Sequence, residues 1–263
     1  MVDKREEQVG DPCYNITEQA ALRDLIGKPT EVSEKRLKFT TQLTGTEEDF
    51  IRRSPFCLLG TLDELGVPCV SPKGDGPGFV EVVAPNLLLV PERPGNKLVF
   101  SLQNILRHPQ VQLLFMIPNT CETLRVSGRA SLSRDPALCA RCAAGGQKAL
   151  LVIRVQITEC YYHCAKCLVR SQLWKPETWP KSRFHVQLGE IMARSAGRDS
   201  DWVVEYEKGS AARLKDVESH YIGKVWSTFS QSGSRSFLPD SCTLALAVTV
   251  TAAFAVSAAM RLR

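Results

Sequence analysis

One stretch of the sequence, residues 71–104, has the residue types that a phosphate site needs. It reads SPKGDGPGFVEVVAPNLLLVPERPGNKLVFSLQN, with three glycines before one apolar run and an Arg-Pro-Gly-Asn-Lys segment after the next. Glycine lets the backbone approach a ligand closely, and Lys, Arg and backbone N–H groups are the donors that a phosphate requires. The stretch therefore predicts a site for the phosphate end of a cofactor.

The three glycines do not form a dinucleotide-binding fingerprint. That fingerprint needs a strand before the glycines and a helix after them within a βαβ unit. Here Pro77 interrupts the loop, and the apolar run 79–83 that follows is typical of a strand. The sequence thus argues against a Rossmann fold.

Basic and amide side chains are concentrated around this stretch and on one later segment. Arg125 and Arg129 stand at strand spacing, which places both on one face of a strand. A cofactor with a phosphate and a polar ring edge would account for such a concentration. The cluster consists of Lys73, Arg93, Asn96, Lys97, Gln103, Asn104, Arg125 and Arg129.

Two cysteine pairs approach the spacing of a zinc site. Cys139-x-x-Cys142 and Cys164-x-x-Cys167, with His163 adjacent, resemble a four-cysteine pattern, but a whole strand separates the pairs. Buried thiols are the other interpretation of these cysteines. No metal is predicted. The four histidines lie in no hydrolase or kinase motif, so no catalytic side chain is assigned.

The elements that position these residues are mostly short strands. Runs at 56–62, 67–71, 79–83, 87–90, 97–100, 111–117, 123–132 and 149–160 are separated by turn signals. Helices are expected at 19–27, from residue 46, at 102–106 and from 135, with a polar linker in the thirties. Many strands and few helices predict a mainly β protein, a Greek-key-like β-barrel with appended helices.

Composition and the two ends of the chain indicate which partners, which redox state of the cysteines and which membrane attachment to expect. The net charge is +5 with no polybasic run, which makes nucleic acid an unsuitable partner. The polar start carries no secretory signal pattern, so the ten cysteines are expected to be thiols in a reducing compartment. Residues 242–260 are uncharged and long enough to cross a bilayer. They predict a transmembrane tail anchor with the main domain facing the cytosol, or alternatively a buried helix or frayed tail.

The sequence resembles a known family. The blocks SPKGD, PGF, RPGN, NIL and ETLRVSGRA are similar, in order, to those of the pyridoxamine 5′-phosphate oxidase-like proteins, which are FMN-binding split barrels. SPF at 54–56, HC-x-K at 163–166, RS at 170–171 and LW at 173–174 extend the likeness. It covers roughly residues 13–195, and an ordered series of blocks is far more specific than a lone motif.

The resemblance implies a six-stranded split β-barrel that forms a homodimer with two FMN molecules at its interface. It places the FMN phosphate on Lys73, Asn96 and Lys97, and the ring or ribitol near Ser101 and Gln103. Arg125 and Trp174 would reach the cofactor of either subunit. The implied domain plan is a disordered leader at 1–11, the barrel at 12–196, a helical and linker extension at 197–241 with one helix after Gly209, and the transmembrane helix at 242–260.

The sequence departs from pyridoxamine phosphate oxidase itself. The Arg-x-His segment that this enzyme uses on its substrate is replaced by LVRSQLW. The resemblance thus implies an FMN-dependent oxidoreductase with a small-molecule redox substrate other than vitamin B6. Two alternatives stay open: a non-catalytic flavin- or haem-binding module tethered to a membrane, with His163 or His185 as haem ligand, and a scaffold without cofactor.

Overall fold

Seven strands form one sheet in the computed structural model, which describes residues 15–38, 41–182 and 184–231. The sheet order is β2-β1-β5-β6-β7-β4-β3, and every neighbouring pair is antiparallel. The strands are β1 (Phe56–Leu62), β2 (Pro68–Gly74), β3 (Glu81–Ala84), β4 (Leu87–Glu92), β5 (Gln110–Met116), β6 (Thr123–Ser133) and β7 (Leu151–His163).

The core lies on the inner face of this sheet. Side chains alternate between the two faces of a strand, and β1 shows the pattern directly, since Cys57, Leu59 and Thr61 are buried while their neighbours are partly exposed. The same alternation in β5 and β6 buries a matching row on each strand. The buried residues of these two strands are Val111, Leu113, Phe115, Thr123, Leu124, Val126, Gly128 and Ala130.

A bulge between β6 and β7 bends the sheet. Ser127 is opposite Glu159 and Gly128 is opposite Ile157, so one residue of β7 has no counterpart on β6. A Cβ at Gly128 would lie 2.5 Å from the carbonyl oxygen of Gln156. Glycine is therefore required here for steric reasons, and its absence of a side chain lets the two backbones approach.

Two ion pairs join the opposite edges of the sheet. Lys73 Nζ on edge strand β2 lies 2.6 Å from Glu92 Oε2 at the end of β4. Arg93 Nε, one residue later, lies 2.8 Å from Asp75 Oδ2. Since β2 is at one edge and β4 is next to the other, these pairs show that the sheet curves until its two sides meet, as in a split barrel.

Eight α-helices accompany the barrel in the described part of the chain. Helix α4 packs on β1, β2 and β6, and its buried Asn104 donates from Nδ2 to Thr61 Oγ1 at 3.0 Å. Helix α7 packs against the long α8. The helices are α1 (Gln19–Ile26), α2 (Glu31–Lys38), α3 (Gly45–Arg53), α4 (Phe100–Arg107), α5 (Pro136–Arg141), α6 (Lys166–Ser171), α7 (Leu188–Ala196) and α8 (Ser200–Gln231).

The mainly β prediction with appended helices is confirmed, with four differences in detail. The sheet has seven strands rather than six. The strand predicted at 97–100 is absent, because Lys97 and Val99 have φ of +65° and +48°, and the chain turns there into α4. The polar segment after Pro29 is helix α2, and the helix expected after Gly209 already begins at Ser200.

No helix within the described ranges is both long and apolar enough to cross a membrane. The predicted tail anchor at 242–260 and the predicted leader at 1–11 lie outside the described residues. The proposed domain boundaries stay predictions.

Candidate functional site

The loop between β4 and α4 carries the donors expected for a phosphate. Asn96 Oδ1 accepts a hydrogen bond from the backbone N–H of Leu98 at 3.1 Å, which shapes the turn and leaves the amide nitrogen as a donor. Lys97 is exposed and its positive φ places it at the tip of the turn. No side chain caps the N-terminus of α4, and its first turn has no acidic residue. Such a helix end favours an anion.

Ser101 and Gln103 lie on the first turn of the same helix. Ser101 is buried and Gln103 is exposed, so the two face opposite sides of α4. The loop and α4 thus bring four of the seven predicted binding residues into one continuous segment.

Lys73 reaches the start of this loop from β2, but it is already paired. Its side chain is largely buried, and its ammonium group is paired with Glu92, the last residue of β4. Beside this pair, the side chain of Asp75 is 1% exposed and also accepts from the backbone N–H of Gly76 at 2.8 Å. Arg93 Nη2 donates to the carbonyl oxygen of Cys142 at 2.8 Å, whereas its buried Nη1 has no hydrogen-bond partner among the described residues.

The carboxylates that engage Lys73 and Arg93 were not anticipated. Asp75 lies two residues after Lys73, and Glu92 lies directly before Arg93. This alternation of charge is the sequence feature that could have indicated the ion pairs. The two pairs fix the strand ends from which the loop emerges.

Arg125 and Trp174 belong to a different part of the molecule. Arg125, on β6, donates to the Tyr161 hydroxyl at 2.5 Å, and its guanidinium carbon lies 5.3 Å from the centre of the Tyr161 ring. Trp174 Nε1 donates to the carbonyl oxygen of Thr120 at 3.0 Å. Within a single chain, the seven predicted residues therefore form two groups rather than one site.

Both Tyr161 and Thr120 line a cavity of about 920 Å³ at the end of β7. It is open to solvent and is lined by residues of the N-terminal helices α2 and α3, of the turn before β6, of the end of β7 and of the segment that follows it. The lining residues are Ser33, Thr46, Phe50, Thr120, Glu122, Tyr161, Tyr162, His163, Cys164 and Ala165.

His163 is the titratable ring in this cavity. Its Nε2 atom is buried and has no hydrogen-bond partner among the described residues. Burial of the ring, and secondarily the Arg125 guanidinium, lower the pKa of His163 below its usual value. The imidazole is therefore neutral at pH 7, with one nitrogen as donor and the other as acceptor.

The aromatic lining was not identified from the sequence. Tyr161, Tyr162 and His163 form an uninterrupted aromatic run at the end of a strand. That run is the sequence feature that could have indicated an aromatic cavity, but it matches no metal-binding or catalytic motif. Phe50 lies more than a hundred residues earlier and joins the cavity only through the packing of α3.

The cysteine pairs lie at opposite ends of β7. Cys139 and Cys142 are buried with Leu89 and Val152 near its start, and burial raises the pKa of the Cys142 thiol to about 11. Cys164 and Cys167 follow its last residue and are exposed. In the described ranges no three His, Cys, Asp or Glu side chains are grouped so that they could hold a metal ion.

A curved antiparallel sheet of the split-barrel kind, with appended helices, a basic loop and a cavity, defines the class of protein. Residues 43–164 match the family model described as pyridoxamine 5′-phosphate oxidase. Over this segment, which is less than half of the chain, the sequence is similar to the pyridoxamine 5′-phosphate oxidase-like proteins. The family is of a flavin-binding oxidoreductase type, its members generally bind a flavin or a haem, and they commonly form dimers.

Several solved structures are similar to this chain at low identity. A pyridoxamine 5′-phosphate oxidase-type protein from Lactobacillus delbrueckii is 24% identical, with 48% of this chain and 98% of that chain covered and a TM-score of 0.37. HupZ of Group A Streptococcus is 14% identical, with 46% and 93% covered and a TM-score of 0.38. Rv2991 of Mycobacterium tuberculosis is 16% identical, with 58% and 98% covered and a TM-score of 0.34. No curated protein matches the chain.

Proposed function

We propose that this chain is an FMN-dependent oxidoreductase that works as a homodimer on a small-molecule redox substrate. The observation that carries the proposal is the uncapped N-terminus of α4, preceded by Asn96 and exposed Lys97, in a chain similar to a flavin-binding family. A phosphate at this end would meet backbone N–H groups, an amide and an ammonium group.

Lys73 has a supporting place in this proposal. Its charge is partly neutralised by Glu92, so it contributes less to phosphate binding than the exposed Lys97. Its ion pair holds the end of β4, from which the phosphate loop starts. Gln103, on the exposed side of α4, extends the site towards the ribitol and ring, whereas the buried Ser101 faces the other side of the helix.

The second group of predicted residues enters through the dimer. We assign Arg125 and Trp174 of each subunit to the flavin ring held by the other, because one chain keeps them apart from its own loop. A bound flavin supplies the hydride or electron transfer, while the protein binds it and orients it against the substrate. No side chain of this chain is assigned a proton transfer.

The absorbance spectrum of the purified chain, followed by an FMN titration, tests the proposal. We expect the twin bands of a flavin, and NAD(P)H consumption in the presence of added FMN and an acceptor. Lys97→Ala should weaken FMN binding by about tenfold or more, since a charge-assisted hydrogen bond contributes roughly 1.5–3 kcal/mol. Lys148→Ala removes another exposed charge, outside the loop, and should leave the affinity unchanged. A chain that binds no FMN would refute the proposal.

A haem-binding module is the second candidate, and one observation favours it. His163 Nε2 is buried without a partner in a cavity of about 920 Å³ and is free of a proton in one tautomer, as a haem ligand must be. His185 is exposed and does not line this cavity. A Soret band in place of the flavin bands, lost in His163→Ala and retained in His185→Ala, would identify this function.

A further inference from the structure

The cavity at the end of β7 shares no residue with the loop assigned to the FMN phosphate. Resting on the proposed function, we propose that this cavity is the substrate site and that it binds a planar nitrogen heterocycle with uncharged hydrogen-bonding groups on its edge. Four independent features lead to this class of ligand.

The first feature is the aromatic wall. The rings of Phe50 and Tyr162 meet edge to face, with centroids 5.6 Å apart and planes at 74°. The rings of Tyr161 and His163 lie 5.2 Å apart at 47°. Surfaces of this kind pack best against another planar ring.

The second feature is the unpaired nitrogen of His163. A buried polar atom without a hydrogen bond is unfavourable, and a ligand that supplies the partner gains that energy back. The neutral imidazole offers either a donor or an acceptor, which suits the ring nitrogens and carbonyl groups of a heterocycle. The charge of Arg125 on β6 acts on this ring, and Glu122 before β6 lines the same cavity.

The third feature is the composition of the lining. The lining contains no Lys or Arg among the described residues. Its polar groups besides His163 are the carboxylate of Glu122, the thiol of Cys164 and the hydroxyls of Ser33, Thr46, Thr120, Tyr161 and Tyr162. The one cation shown beside the lining, Arg125, is already hydrogen-bonded to Tyr161, so the cavity suits a ring rather than the phosphate end of a cofactor. Its volume is at the upper end of the range for small-molecule sites.

The fourth feature links the cavity to the flavin. Trp174 is hydrogen-bonded to Thr120 and Arg125 to Tyr161, so both residues assigned to the ring of FMN contact the cavity lining. A substrate in the cavity would thus lie beside the flavin that these residues hold. This arrangement favours a substrate over a remote effector.

A cysteine pair provides a direct measurement of occupancy. Cys164 lines the cavity and is exposed, while Cys167, three residues later, is exposed and does not line it. The full chain, first saturated with FMN, is alkylated with iodoacetamide with and without lumazine, a pteridinedione that serves as the planar nitrogen heterocycle. Mass spectrometry of the peptides gives the alkylation rate at each thiol.

We expect lumazine to slow alkylation of Cys164 at least threefold and to leave Cys167 unchanged. His163→Phe keeps an aromatic ring but removes the nitrogen, and should abolish the protection. His185→Phe is the matched control and should retain it. Unchanged alkylation rates of His163→Phe without lumazine, together with an unchanged circular dichroism spectrum, show that this variant is folded.

The inference would be overturned by no protection by lumazine, by equal protection of both thiols, or by protection of Cys164 by FMN alone. A Soret band that disappears in His163→Ala would also overturn it, because the cavity would then belong to haem. The proposed function fails separately, in the FMN titration. If lumazine protects Cys164 in a chain that binds no FMN, the heterocycle site stands and its redox role is refuted.

Discussion

At the scale of single residues, the degree of burial distinguishes ion pairs that stabilise the barrel from surface ion pairs that contribute little to its stability. The side chains of Asp75 and Arg93 are 1% and 18% exposed, whereas those of Glu81 and Arg141 are 32% and 49% exposed at a comparable separation. Water screens the attraction between Glu81 and Arg141, so this surface ion pair contributes little to the free energy of unfolding. Removal of either Asp75 or Arg93 leaves the charge of the other buried and unpaired, which is strongly destabilising.

Asp75→Asn should therefore destabilise the protein by about 3 kcal/mol, because the Arg93 guanidinium loses its carboxylate while it stays largely buried. The free energy of unfolding from urea titration measures this loss. Glu81→Gln breaks the exposed pair and should cost less than about 1 kcal/mol. Equal losses in the two variants would show that the Asp75–Arg93 pair does not close the barrel.

At the scale of elements, the contact between β6 and β7 depends on a residue without a side chain. Gly128 faces the backbone of Gln156, and an added Cβ would also lie 2.8 Å from Val155 Cγ1. Both neighbours belong to β7, the longest strand, so neither moves without a shift of the sheet. A methyl group at position 128 could be accommodated only if the backbones of β6 and β7 moved apart.

Gly128→Ala should destabilise the protein by about 1–3 kcal/mol or more, the usual cost of overpacking a core. Thermal unfolding followed by circular dichroism measures it. Gly45→Ala, at the first residue of α3, meets nothing within 4 Å and should be neutral or slightly stabilising. If Gly128→Ala unfolds at the temperature of the parent, the close approach of β6 and β7 is not maintained in solution.

The strands could be predicted from the sequence because alternation and turn residues are local signals. Runs such as 56–62 and 123–132 match β1 and β6 within a residue or two. The segment 97–100 could not be assigned in this way, since Lys97 and Val99 adopt positive φ only within the folded turn. A β-branched valine in that region contradicts its local preference.

The candidate site could be predicted only in part, for a related reason. Loop donors such as Asn96 and Lys97 are adjacent in sequence, so their grouping is visible without a structure. The cavity joins Phe50 to Tyr162 and His163 through tertiary packing, which no spacing encodes. The pairing of Lys73 with Glu92 likewise depends on the closure of the barrel.

At the scale of the whole molecule, the outer face of the sheet is apolar where β1, β2 and β5 meet. Leu58 is paired with Leu114 and Pro72, and Val70 on β2 is 62% exposed. Arg125 continues this face on β6, opposite Leu114. A contiguous apolar patch on a sheet is typical of an interface, and a second copy on this face would bring another Arg125 close.

Val70→Asp should therefore convert the proposed dimer to a monomer and weaken FMN binding, because burial of an unpaired carboxylate in an interface is strongly unfavourable. Sedimentation velocity measures the assembly state, with a dimer dissociation constant at least about tenfold higher in the variant, equivalent to roughly 1.4 kcal/mol. Leu65→Asp is the control, since Leu65 is 83% exposed in the turn between β1 and β2, away from this face. A Val70→Asp protein that sediments as the parent would place the interface elsewhere, and the partner's Arg125 would lose its assigned role at the flavin.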